Sequence, residues 1–350
     1  MDETKLQELI GKAVTEMSVA ESAPLIYIGD KLGLYRAMAG AGPLTSRELA
    51  DRTGTHERYV REWLNNQAAG GVVDYHSADA TYELSDEAAH LWADESSPVF
   101  LTGWVELIAS LWADADRVAE AFRSGAGIAW GDHDQRLYRG VQRFFAPLYR
   151  RSLVQEWIPS LDGVEAKLRQ GAKVADVGCG YGLSTVILAE AFPRSTFVGY
   201  DTHPESIAAA EKAAAEAGVA DRVRFEVADA ASFAGTGFDL VCFFDALHDM
   251  GDPVGAAAHA RAALADDGRV MVVEPAAGDR LEDNLNPVGR TYYAGSTFLC
   301  TPGALSQPGG HSLGAQAGPE RLGQVLSQAG FTRWRATVAT PFNLVLEARP

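Results

Sequence analysis

The chain has 350 residues, 47% of them hydrophobic and 22% charged, with a formal net charge of -17. This size and balance supply a core that needs no staples, and the acidic surplus disfavours nucleic acid or an anionic membrane surface as a partner. Three cysteines, Cys179, Cys242 and Cys300, include no pair at metal-ligand spacing and are an odd count for a disulfide framework, so no metal is expected. The opening MDETKLQELIGKAV has no basic segment followed by an apolar one, and no run reaches the roughly 18 apolar residues of a membrane helix. A cytoplasmic protein with no membrane partner is the expectation.

Helical periodicity dominates up to about residue 170. Ile26 to Met38 reads as an amphipathic helix ended by Gly40. SRELADRTG follows as a short helix capped by Thr45 or Ser46 and stopped by Gly54, and Thr55 is the expected cap of HERYVREWLNNQAAG. VVDY and TYEL read as two short strands, which completes a winged-helix order. Residues 1–75 carry 8 Lys/Arg against 11 Asp/Glu, and the third helix mixes Arg58 and Arg61 with Glu57 and Glu62. A DNA reader should be basic on that face, so dimerisation is the expected use. Long helices are predicted over 99–122 and 135–158, joined by SGAGIAWGDHD.

From Lys173 the pattern becomes β-α. Strands are predicted at KVADVG, TFVGYD, VRFEVAD, FDLVCFFDAL and RVMVVEP, with helices over 183–192, 204–217 and 253–265. Continuous apolar strands with intervening helices imply an α/β fold with a parallel, doubly wound sheet. A Gly/Pro/Asn/Ser-rich stretch, 278–318, reads as a long loop. GPERLGQVLSQAG then forms a helix ended by Gly330, and WRATV and FNLVLEAR close the chain as strands.

Ligands of open α/β sheets lie beyond the carboxyl ends of the strands. The turn after the first strand is VADVGCGYGLST. Its glycines are Gly178, Gly180 and Gly182; Leu183 stands where a dinucleotide fingerprint wants its third glycine, and no P-loop lysine is present. Asp176, just before the turn, would face a cationic part of a ligand rather than a pyrophosphate.

This D-x-G-x-G-x-G arrangement resembles motif I of class I S-adenosylmethionine (SAM) methyltransferases. The resemblance implies a seven-stranded Rossmann-like sheet ending in an antiparallel hairpin over residues 165–350, with SAM as cofactor and S-adenosylhomocysteine as product. It places the cofactor against Asp176, Gly178, Cys179, Gly180 and Gly182. Asp201 and Thr202 end the second strand, where a carboxylate accepts the ribose hydroxyls. Asp229 and Ala230 follow the third strand at the adenine, and Phe244 and Asp245 end the fourth.

ALHDMGDP puts His248 after the fourth strand, and VVEP puts Glu274 at the end of the fifth. The pair looks like the H-D-W-x-D motif and following acidic position of caffeate-type small-molecule O-methyltransferases, in which histidine deprotonates a phenol and glutamate steers it. Met250 replaces the tryptophan of that motif, and a second steering glutamate has no match, Glu320 standing at a different spacing. His248 is therefore base or, alternatively, a structural partner of Asp249; Asp249 and Asp252 shape the turn. Bacterial winged-helix-fused SAM methyltransferases resemble the whole chain. The implied layout is a winged-helix dimerisation domain over 1–98, substrate-side helices over 99–164, and a SAM domain over 165–350. Within it, 278–318 would be a lid carrying Asn284, Asn286, Tyr292, Tyr293 and His311. The small-molecule acceptor is expected between the N-terminal helices and the sheet, in a homodimer. Two rivals stay open: a SAM-binding regulator that uses its winged helix on DNA, and a methyltransferase-fold enzyme with non-methylating chemistry.

Overall fold

A computed structural model describes all 350 residues. It divides into two units, Met1–Ser110 with Arg139–Leu148, and Leu111–Tyr138 with Tyr149–Pro350.

In the first unit the expected helix over Ile26–Met38 is instead two. A 29-residue helix, Glu3–Lys31, ends before Gly33, whose φ of 72° breaks the run, and Leu34–Met38 follows. Thr45 caps Ser46–Thr53 through a reciprocal capping box with Glu48, and Gly54 terminates it at φ 63°. The next helix, Glu57–Ala69, is capped by His56 rather than by Thr55: the ring Nδ1 of His56 accepts from Arg58 N, while the Thr55 hydroxyl pairs with that of Thr53. β1 (Asp74–His76) and β2 (Thr81–Glu83) form the antiparallel wing, with Tyr75 opposite Tyr82. Leu34, Tyr35, Met38, Leu49, Trp63, Leu64 and Leu84 build the core. Helix Glu3–Lys31 joins it at Gly29, where a Cβ would stand 2.6 Å from the rings of both Trp63 and Tyr35. On Glu57–Ala69, Arg58 pairs with Glu62 and Arg61 with Glu57.

The second unit holds a seven-stranded sheet. Its strands are β3 (Lys173–Val177), β4 (Thr196–Asp201), β5 (Val223–Val227), β6 (Phe238–Phe244), β7 (Leu264–Pro275), β8 (Arg333–Ala339) and β9 (Asn343–Arg349), in the order β5-β4-β3-β6-β7-β9-β8. The first five are parallel, and β9 is antiparallel to both its neighbours. The chain winds outward from β3 to β5, then returns to β6 on the other side of β3. That reversal opens a crevice at the carboxyl ends of β3 and β6. β6 is apolar because both its faces are covered: Phe238, Leu240, Val241, Cys242 and Phe243 are wholly buried.

Two further expectations need correction. The predicted helix over 135–158 runs as Arg136–Ser152, then widens into a π-type turn, Leu153–Trp157, and a tight turn, Ile158–Ser160. The predicted loop 278–318 is largely helical: Leu281–Asn284, Pro287–Gly295, Ser296–Cys300 and Thr301–Leu305. Asn286 caps the second piece by accepting from Gly289 N, and Pro287 and Pro302 occupy first-turn positions, where a missing N–H costs nothing.

Candidate active site

The turn after β3 is built on glycines in left-handed conformation. Gly178 has φ 78° and Gly182 φ 76°; a Cβ on the first would stand 2.6 Å from Ala246, and on the second 2.7 Å from the Phe225 ring. Side chains are thus excluded by backbone strain and by space. Gly178 N and Cys179 N both donate to Tyr200 O, and Gly180 N donates to Asp201 Oδ2 at 2.9 Å. Asp201 also accepts from His203 N, so β4 and the turn share one carboxylate. Burial pushes its pKa up, against the pull of those N–H groups. Thr202 beside it is exposed, and the Cys179 thiol is buried.

Asp176 is buried beneath the turn. Its Oδ2 accepts from the Ser184 and Thr185 hydroxyls, each at 2.6 Å, which fastens the first turn of helix Leu183–Ala191. Its Oδ1 is buried without a donor, and desolvation pushes the carboxyl up to about 6. Beyond β5, Asp229 is exposed and accepts from Ala231 N, while Ala230 packs against the sheet's core. On the other flank, Tyr181 of the turn stacks 6.2 Å from Tyr138, whose ring lies 5.0 Å from that of His203.

At the tip of β6, Phe244 is buried and Asp245 takes φ 49°, unusual for a residue with a side chain. The Asp245 carboxylate accepts from the Tyr149 hydroxyl and from Asn343 Nδ2 at 2.8 Å. Burial pushes it up to about 7, with Tyr149 opposing and the Glu274 charge adding to the rise. Three residues on, the tight turn Leu247–Asp249 sets His248 over the end of β7. His248 Nδ1 contacts Glu274 Oε2 directly, and Glu274 Oε1 accepts from Leu247 N and His248 N. Both side chains are nearly inaccessible, at 4% and 1%. Asp249 Oδ1 lies 3.1 Å from His248 Nε2 as an ion-pair contact, not as an aligned hydrogen bond, and has no donor. Burial alone would lower the His248 pKa; Asp249 and Glu274 overcome it and hold it well above 6.5.

The segment before β8 is fastened to this turn. Gln307 Nε2 donates to Asp249 O, its Oε1 accepts from Gly251 N, and His311 N donates to Gly251 O. Asn284 closes its own turn onto Gly278 and Arg280, Tyr292 donates to Phe342 O, and Tyr293 is partly exposed. Glu320 is exposed at the start of helix Pro319–Gln328.

Two family models match the chain: an Rv2258c-like winged HTH domain over residues 20–93 and a methyltransferase domain over 168–330. The chain is an S-adenosylmethionine-dependent methyltransferase with an N-terminal winged-helix domain. A mitomycin biosynthesis 6-O-methyltransferase from Streptomyces lavendulae is 24% identical to this methyltransferase over 329 residues, 87% of this chain and 91% of the relative. The fold matches that of the mitomycin 7-O-methyltransferase MmcR, with a TM-score of 0.72, 20% identity and coverage of 99% and 100% of the two chains. It also matches human N-acetylserotonin methyltransferase in complex with SAM, with a TM-score of 0.68, 17% identity and coverage of 100% and 98%.

The donor set of this methyltransferase suits its cofactor. Asp176 offers a buried oxygen without a donor, Asp201 a second carboxylate, and the turn VGCGYG contains no lysine or arginine to hold a pyrophosphate. Tyr149, Asn343 and Tyr138 were not legible as site residues. Each comes from an element far away in sequence and carries no local motif.

Proposed function

We propose that this methyltransferase transfers a methyl group to the oxygen of a small phenol-like acceptor, with His248 as base. The contact between His248 Nδ1 and Glu274 carries the reading. It fixes the ring by one nitrogen and leaves Nε2 as the atom that can take a proton. Nε2 has the misaligned Asp249 oxygen and the Cys300 thiol beside it, and an acceptor hydroxyl can take over the Asp249 position. The oxygen-methylating relatives favour the same acceptor atom.

Asp201 would receive the ribose hydroxyls, Asp229 and Ala230 the adenine, and the Asp176 side of the glycine turn the cationic amino-acid end. Thr202, Cys179 and Phe244 would complete the walls. Bound SAM supplies a methyl carbon activated by its sulfonium. The chain's own task is to exclude water, align the acceptor and remove its proton. His248 Nε2 would take the hydroxyl proton as the acceptor oxygen is methylated, and Glu274 would stabilise the resulting imidazolium. Imidazole is suited to a phenol, whose pKa is about 10, and poorly matched to an alcohol near water's roughly 15.7. Asp245, held by Tyr149 and Asn343, keeps the β6 tip in its left-handed turn.

Incubation with SAM and a panel of phenols, alcohols and amines, read by mass spectrometry, tests this. Phenols should gain one CH2. His248→Ala should lose roughly 100-fold or more in turnover while binding S-adenosylhomocysteine as before. Unchanged turnover removes His248 from the chemistry, and methylated amines alone would reject the acceptor class.

Dimerisation is the use we propose for the winged-helix unit. Helix Glu3–Lys31 exposes Leu9, Ile10, Val14 and Met17. A matching stripe on a second copy of the chain would cover these side chains.

A further inference from the structure

Three side chains of different chemistry converge beside the proposed base. His248, Asp249 and Cys300 each offer one donor atom, and the three atoms lie within 4.8 Å of one another. His248 and Cys300 are buried, and the Asp249 Oδ1 atom is inaccessible, with His248 Nε2 at 3.1 Å as its ion-pair partner. A buried anionic oxygen needs a cation beside it, a place that a protonated His248 or a metal ion can fill.

We propose that these residues form a binding site for a zinc-like divalent ion, whose occupancy takes His248 Nε2 out of use and stops methyl transfer. One imidazole, one thiolate and one carboxylate form a borderline-soft set, suited to zinc and unsuited to magnesium or calcium. Zinc bonds of about 2.0–2.3 Å place tetrahedral donors about 3.3–3.8 Å apart, so the widest separation must close by about 1 Å. Cys300 ends the π-type turn Ser296–Cys300, and Gln307 ties the same segment to Asp249 O, so the third donor is held near the other two. The outer shell is present as well. Glu274 engages the far nitrogen of His248 and is itself fixed by two backbone N–H groups, an arrangement that aims Nε2 at a metal. Three protein ligands leave a fourth position for water. Metal binding displaces the thiol proton, and the Nε2 proton where His248 is charged, to solvent and involves no change of oxidation state.

The inhibitory consequence rests on His248 being the base; the site itself does not. The test uses the full-length chain, reduced and stripped of metal. Titration with Co2+ should give one equivalent of tetrahedral cobalt with a strong near-ultraviolet thiolate band, which Zn2+ bleaches. Cys300→Ser should abolish that band and weaken zinc, in competition with a chromophoric chelator, by at least about 10-fold. Asp249→Asn, read on zinc affinity, serves if Cys300→Ser does not fold. No thiolate band in the parent chain, or equal zinc affinity in the variants, overturns the site. On a phenol that the enzyme methylates, zinc should stop the parent and spare Cys300→Ser, and a chelator should restore the parent. Unchanged turnover with zinc bound overturns the inhibition. Failure to methylate any phenol counts against the base assignment and leaves the cobalt spectrum to decide the site.

Discussion

Asp176 shows how a side chain can serve a site against the interest of the fold. Burial raises its pKa from 3.8 to about 6, so the folded chain holds a proton that the unfolded chain has released. Its contribution to stability is therefore fully present below pH about 4 and is lost as pH rises through about 6, a change of about 3 kcal/mol. Asp176→Asn cannot titrate. Measured by denaturant unfolding, the stability difference between variant and parent should move in the variant's favour by about 2.4 kcal/mol between pH 4 and 7. Parallel pH profiles would show that Asp176 is not held in this state. Asp201 makes a complementary prediction: Asp201→Ala should weaken S-adenosylhomocysteine binding by about 2 kcal/mol in calorimetry, since a charged acceptor is lost, and equal affinity rejects its ribose role. At this scale the sequence announces the groups that follow strand tips, Asp201 and His248 among them. It is silent on what each one touches. Nothing in FDLVCFFDAL says that Asp245 turns inward to Tyr149 and Asn343, because those partners arrive on a helix and a strand distant in the chain.

Among the elements, the glycine turn has the least freedom. Gly182 combines φ 76° with a would-be Cβ 2.7 Å from Phe225 and 2.8 Å from Ala210. Gly182→Ala should cost about 2–4 kcal/mol, since backbone strain and overpacking act together, and cofactor affinity should fall with it. Denaturant midpoints and calorimetry on the variant measure both, and a cost under about 0.5 kcal/mol would mean that the turn relaxes. This element was readable because strand, glycines and helix follow each other without interruption. The strands β3 to β7 were readable for a related reason: burial on both faces leaves unbroken apolar runs. The 278–318 stretch misled because its Gly, Pro and Asn count as loop formers, whereas Asn286, Pro287 and Pro302 act here as helix starters. His56 displaced Thr55 as a cap because a ring nitrogen can also accept from a helix N–H, a role residue preferences seldom credit.

For the molecule as a whole, the question is what its winged helix meets. The arginines of Glu57–Ala69 are paired with glutamates of the same helix, and the net charge is -17. Both features oppose a DNA partner, and a gel shift with salt-sensitive binding would reverse that conclusion. The first helix argues for a second copy instead. Glu3–Lys31 reaches its own core only in its C-terminal part, from about Ser22 on, and residues 7–15 are exposed on all sides. Isolated helical turns of that length are marginal in water, while Ile10, Val14 and Met17, 45%, 64% and 60% exposed, recur at helical spacing on one side. A partner stripe would bury them. Light scattering should therefore give twice the 37.4 kDa chain mass. Val14→Glu with Met17→Glu touches no side chain of the core, so it should leave the methyltransferase unit folded while shifting the mass towards one chain and lowering helix content as the unsupported segment frays. A parent chain of single mass with this helix intact, or a double variant of unchanged mass, would mean that the stripe meets something other than its own copy.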